Sequence, residues 1–132
     1  MDAFELAPLD RERERQGRAY LEFLRRPSMS CGLYHLPSGG TDPQRPHTED
    51  EVYLVVEGEA RVRVGTEDRP VGPGTIVFVP AGSDHRFHDI TRDLSLLVVF
   101  APAEGTSRSP PSRRTGGRAN RSKRSPPRPV RP

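Results

Sequence analysis

Between Ser28 and Phe100, apolar and polar residues alternate in short runs with a period of two, broken by glycine, proline and aspartate. The runs are Cys31 to Leu36, Val52 to Val56, Ala60 to Val64, Thr75 to Val79, His85 to Ile90 and Leu94 to Phe100. Arg61-Val62-Arg63-Val64 alternates strictly and predicts a strand with one wet face. Leu94 to Phe100 is almost continuously apolar and predicts a strand covered on both sides. Glu57-Gly58-Glu59, Gly65 to Asp68 and Gly72-Pro73-Gly74 carry turn chemistry at the spacing of consecutive antiparallel strands. About 75 residues of this pattern predict one small all-β barrel or sandwich with no helix of useful length.

The flanks differ from this middle. Residues 10–18 (DRERERQGR) are charged all round; Glu14 and Arg18 are spaced as a helix pair, but no apolar stripe accompanies them, so a short exposed helix or coil is expected. Tyr20, Leu21, Phe23 and Leu24 form the first apolar cluster, closed by Pro27, and are expected as a strand or helix on the edge of the domain. From Gly105 onward the only aliphatic residues are Ala119 and Val130, too few to offset the entropy of ordering, so residues 105–132 are expected to be a disordered tail. The chain thus divides into a charged extension (1–20), a barrel (21–104) and the tail.

Charge follows the same division. The chain holds 21 Lys+Arg and 18 Asp+Glu, a formal +3, but nine of the basic residues and no acid lie in 105–132, which leaves the rest at −6. A cationic tail suits nonspecific contact with nucleic acid, yet it has no Phe, Tyr or Trp on which bases stack, and that partner is not favoured. Cys31 is the only cysteine, so no internal disulfide forms. No apolar run exceeds six residues, which excludes a helical membrane span. Asp2 and Glu5 break the pattern of a secretory signal, and a cytoplasmic location is expected.

Candidate chemistry gathers in two turn-rich segments. Pro46-His47-Thr48-Glu49-Asp50-Glu51-Val52-Tyr53 and Pro80-Ala81-Gly82-Ser83-Asp84-His85-Arg86-Phe87-His88 pair imidazoles with carboxylates, the donor set of a divalent cation such as Fe, Mn, Zn or Ni. On an extended strand His85, Phe87 and Asp89 share one face, and Arg86, His88 and Ile90 the other, so His85 and His88 cannot both be ligands of one unbroken strand. Tyr53 and Phe87 share parity with Glu51 and His85 and are expected as cavity wall. His35 is expected as a satisfied strand histidine and His88 at the surface.

These residues resemble the cupin superfamily. Its first motif runs from a His-x-His pair through a glutamate to a glycine, and His47, Glu51 and Gly58 match it; its second is matched by Gly74, Pro80, Gly82 and His85, with Asp89 where the family has asparagine. The resemblance covers roughly Leu21 to Phe100 and implies a double-stranded β-helix, or jelly-roll, barrel with a divalent metal in its mouth. One position departs: the first histidine of the pair falls on Arg45, a permanent cation that cannot bind metal, which leaves His47, Glu51 and His85. Gln44 is a substitute ligand through its amide oxygen if the register shifts by one, and Glu49 is another. By resemblance the protein acts on a small organic molecule as a dioxygenase or an isomerase, the latter with Glu49 as general base. The alternative is a metal-free barrel that only binds its ligand, and Arg45, pointing inward, suits an anionic one. Apolar residues of both parities in Val52 to Val56 and Leu94 to Phe100 further predict a homodimer.

Overall fold

The computed structural model describes residues 1–106; the expected disordered tail lies, but for Gly105 and Thr106, outside the described residues. One helix, α1 (Leu6–Arg15), precedes six strands: β1 (Tyr20–Arg26), β2 (Met29–Leu36), β3 (Asp50–Val64), β4 (Glu67–Val71), β5 (Ile76–Val79) and β6 (His85–Ala101). All pairings are antiparallel. β3 and β6 are long and pair along nearly their whole length, from Asp50 opposite Ala101 to Val64 opposite His85. The C-terminal half of β6 also pairs with β2, and β2 with β1, while β5 flanks the first half of β3 and β4 its second half. Two sheets that share β3 and β6 therefore close on one core, built on Tyr34, Tyr53, Phe87, Leu94, Leu96, Val98 and Phe100. This is the small barrel expected from the alternation, in the double-stranded β-helix form that the cupin resemblance implies.

Several local expectations change. Val52 to Val56 and Ala60 to Val64 are one strand, and Glu57-Gly58-Glu59 is not a turn but a run of register irregularities inside β3. Gly58 sits there at φ 102°, with its α-carbon against the backbone of Asp93 and Leu94, so the strand bends from one sheet into the other without ending. His85 to Ile90 and Leu94 to Phe100 also merge, into β6. Asp89, at φ 49°, breaks the expected parity: His85 and Phe87 point inward as anticipated, but Ile90 is buried and Asp89 exposed. β4 was not foreseen, because its sequence, Glu-Asp-Arg-Pro-Val, is an exposed edge strand with almost no apolar residue to signal it. The helix begins at Leu6, upstream of the charged stretch, and buries Arg13, which donates to Asp10 and to the Arg18 carbonyl.

Outward-facing side chains of the larger sheet are also apolar. The register aligns Cys31, Val99, Val52 and Phe78 in one row and Leu21, Leu33, Leu97, Leu54 and Ile76 in the next. Ile76 and Phe78, on the edge strand β5, remain 70% and 57% exposed.

Candidate metal centre

Three segments meet at one mouth of the barrel: the loop between β2 and β3, the first half of β3, and the start of β6. The β5–β6 connection turns at Pro80–Ser83, where the Ser83 amide donates to the Pro80 carbonyl (3.1 Å) and Gly82 takes φ 80° in the third position of the turn. The Gly82 amide donates to the His47 carbonyl at 2.7 Å, and the Ala81 amide to Asp50 Oδ1 at 2.9 Å. These bonds tie the loop that carries His47 to the turn that delivers His85.

His47, Glu51 and His85 come together there, with one donor atom from each within 4.8 Å of the others. His85 Nε2 lies 3.2 Å from Glu51 Oε1, and both side chains are fully buried. The Nδ1 of His85 faces the Ser83 carbonyl at 2.9 Å, which can only accept; Nδ1 therefore carries a proton, and Nε2 is the ring atom turned to the interior. His47 stacks edge-on against Phe100, with ring centroids 4.9 Å apart, and its Nδ1 lies 3.7 Å from the Glu104 carboxylate. Phe87 packs edge-on against Tyr53 at 4.9 Å and forms apolar wall, as parity predicts.

Of the residues named from the sequence, Arg45 points to solvent. Gln44 is the one whose side chain enters the cluster: its Oε1 lies 3.0 Å from His85 Nε2 and accepts a 2.8 Å hydrogen bond from the Tyr53 hydroxyl. Glu49 is buried, but its Oε2 accepts from the Gly105 amide (2.9 Å) and from the Thr48 hydroxyl, so the structure does not bring it into the cluster. His88 pairs with Asp68 at the surface. Sequence reading missed Asp42, which is only 7% exposed and accepts from the Tyr34 hydroxyl (2.7 Å), the Phe87 amide (2.9 Å) and the Gln44 side-chain amide. Its place in a thirteen-residue loop between β2 and β3 follows no period that a motif expresses.

The electrostatics call for a cation. Both Glu51 oxygens are buried, and the Tyr53 proton goes to Gln44, so the His85 ring, 3.2 Å away, is the nearest group that could balance the carboxylate among the described residues. An isolated buried carboxylate is costly unless a positive charge meets it. Burial opposes a charge on His85, but the Glu51 carboxylate, the Ser83 carbonyl and Asp42 together outweigh it and raise its pKa above the ordinary histidine value. Burial, reinforced by the Glu51 charge, holds the Tyr53 phenol well above its usual pKa, so it remains a proton donor. His85 Nε2 and Glu51 Oε1, 3.2 Å apart, already stand at the spacing that two bonds of ~2.0–2.2 Å to one ion require. Two nitrogens and a carboxylate fit a divalent transition metal, and the donor set passes that test.

Beside the cluster, a cavity of about 370 Å³ is lined by Gln44, His85, Arg63 and Arg86, together with Asp42 and Asp84. Arg63 and Arg86 are direct partners across β3 and β6. Asp68, opposite Arg63 on β4, is already engaged by Arg61 and His88.

Known proteins resemble this chain to different extents. An uncharacterized protein of Streptomyces coelicolor is 53% identical over 104 residues, 79% of this chain and 99% of that protein. The crystal structure of TT1209 from Thermus thermophilus superposes with a TM-score of 0.65 at 32% identity, covering 78% of this chain and 99% of the other. The dimethylsulfoniopropionate lyase DddQ of Ruegeria pomeroyi is 31% identical over 74 residues, 55% of this chain and only 37% of the lyase; its crystal structure superposes with a TM-score of 0.54. The family model described as a cupin domain matches residues 32–100, the stretch that holds the bent β3–β6 pair and all three clustered donors, and the chain belongs to the cupin family.

Proposed function

We propose that this cupin is a metal-dependent enzyme that performs acid–base chemistry on a small organic anion. The observation that carries the reading is the convergence of the buried Glu51 carboxylate with the rings of His47 and His85 at one mouth of the barrel. His47, Glu51 and His85 would hold a divalent ion, which when bound supplies Lewis acidity toward a carboxylate or carbonyl oxygen. Tyr53 keeps its proton at Oη, in contact with Gln44 and His85, and is placed to hand a hydrogen bond or a proton to a molecule in the mouth. Glu49, engaged by Gly105 and Thr48, is replaced in that role. Side-by-side Arg63 and Arg86 at the adjoining cavity repel each other and favour an anionic group between them, with Asp42, already bonded to Gln44, Tyr34 and Phe87, and Asp84 as the acids of the same lining. The lyase named among the relatives supports a non-redox reaction for the shared segment.

The test is a screen of small organic acids against protein stripped by chelator and reloaded with Mn, Fe, Zn or Ni, with substrate loss and dissolved oxygen followed together. Metal-dependent turnover at constant oxygen supports the proposal. Oxygen uptake stoichiometric with turnover would place it among dioxygenases instead. Saturable binding without consumption would make it a binding module.

A further inference from the structure

Arg45 stands where a cupin's first histidine is expected and faces solvent, whereas its neighbour Gln44 reaches the cluster. We propose that Gln44 is the fourth protein ligand of the metal, through Oε1, and that Asp42 is the positioning residue that presents it. The proposal rests on the metal-binding reading above.

Three observations lead to it. The first is placement. Pro43 and Pro46 flank the pair Gln44-Arg45, and the residue before each proline is held extended, so alternate side chains face opposite ways: Asp42 and Gln44 inward, Arg45 to solvent. Only the inward residue reaches the cluster, 3.0 Å from His85 Nε2.

Amide polarity is the second. The end of Gln44 that faces Asp42 meets a carboxylate, which has only lone pairs and already receives the Tyr34 hydroxyl on Oδ1 and the Phe87 amide on Oδ2. That end must be the NH2 group, and the carbonyl oxygen is thereby turned toward His85 and the Tyr53 hydroxyl. An inverted amide would set NH2 against the centre and oxygen against carboxylate, losing the bond to Asp42.

Third, acceptors converge. Gln44 Oε1 and Glu51 Oε1 lie 3.0 and 3.2 Å from His85 Nε2, and in the neutral ring that a metal ligand must be, with its proton on the Nδ1 that faces Ser83, all three present lone pairs to one another. The Tyr53 hydroxyl is the one hydrogen the described hydrogen bonds bring to them, and it goes to Gln44. An amide oxygen is neutral, like the imidazole it replaces, so the net charge of the ligand set is unchanged while its character shifts toward oxygen. Such a centre suits Mn, Fe, Co, Ni or Zn above copper(I).

Cobalt(II) titration of the full chain, followed by its visible absorption and by competition with a chromophoric chelator, tests the proposal. Gln44→Leu should lower affinity ~10–100-fold and change the cobalt band, whereas Gln44→Glu, nearly isosteric and anionic, should bind at least as tightly as wild type. Asp42→Ala should weaken binding ~10-fold. Asp42→Asn should recover most of it, because its oxygen still receives Gln44 and Phe87 while its NH2 meets the Tyr34 hydroxyl, which turns to accept. Circular dichroism of each variant establishes that the barrel is folded. If wild type binds cobalt, if His47→Ala abolishes binding, and if Gln44→Leu stays within twofold with an unchanged spectrum, Gln44 is no ligand although the centre stands. If wild type itself binds no cobalt, both readings fall.

Discussion

Replacing Gly58 with alanine should disable the barrel far more than the same change at the other motif glycines. A β-carbon built at residue 58 would lie 2.3 Å from the Asp93 carbonyl oxygen and 2.7 Å from the Leu94 α-carbon, both backbone atoms of β6 that no rotamer change can clear. The φ of 102° adds strain for any residue with a β-carbon. A left-handed backbone costs ~1–2 kcal/mol and forced displacement of a packed strand ~1–3 kcal/mol, while the stiffer unfolded chain returns ~0.4–1 kcal/mol. The net loss is about 2–4 kcal/mol, or roughly 10–25 °C in Tm for a domain of this size. Gly74 and Gly82 also have positive φ, at 92° and 80°, but a β-carbon there meets nothing within 4 Å, so each should lose only ~1 kcal/mol. Urea denaturation of the three variants, with m held equal, measures the contrast. A Gly58→Ala midpoint equal to that of Gly74→Ala would refute the reasoning, because it would mean that β3 and β6 are not in backbone contact where the strand bends.

Other consequences follow from single features. Tyr34→Phe removes the hydroxyl bonded to Asp42 inside the barrel and should cost ~1–3 kcal/mol in urea denaturation; no loss would mean that the carboxylate is satisfied without it. The exposed Ile76 and Phe78 continue two apolar rows across the sheet, and a second copy of that face would cover them: light scattering should give a dimer mass at micromolar concentration, and Ile76→Lys with Phe78→Lys a monomer. A monomeric wild type contradicts this. Deleting residues 107–132, which hold nine basic residues and no acid, should abolish retention on heparin while leaving metal content unchanged; retention by the truncated chain would place the cationic surface on the barrel instead.

Strand alternation and motif spacing made much of the fold and of the donor cluster legible. Arg61 to Val64 and Leu94 to Phe100 announce a one-sided and a two-sided strand, and the parity of Tyr53 and Phe87 places both in the wall. Glu57-Gly58-Glu59 misleads because glycine between acids reads as a turn, whereas here it permits a close backbone approach within one strand. β4 escapes notice because an edge strand needs little apolar surface. Asp42 and Tyr34 were hidden for a different reason: their bond joins a strand to an aperiodic loop, and only the folded chain brings Asp42 to the Phe87 amide. Gln44 was visible as a substitute for Arg45, but the hydrogen bonds that orient its amide were not. No helix among the described residues is long and apolar enough to cross a membrane, consistent with the short apolar runs.

The account stands most directly on metal content. Elemental analysis of untagged protein, purified without chelator, should find Mn, Fe, Zn or Ni near one equivalent per chain in wild type and only traces in the His47→Ala, His85→Ala double variant. Equal trace amounts in both, from folded protein, would mean that Glu51 is buried for another reason and that the barrel mouth holds no metal.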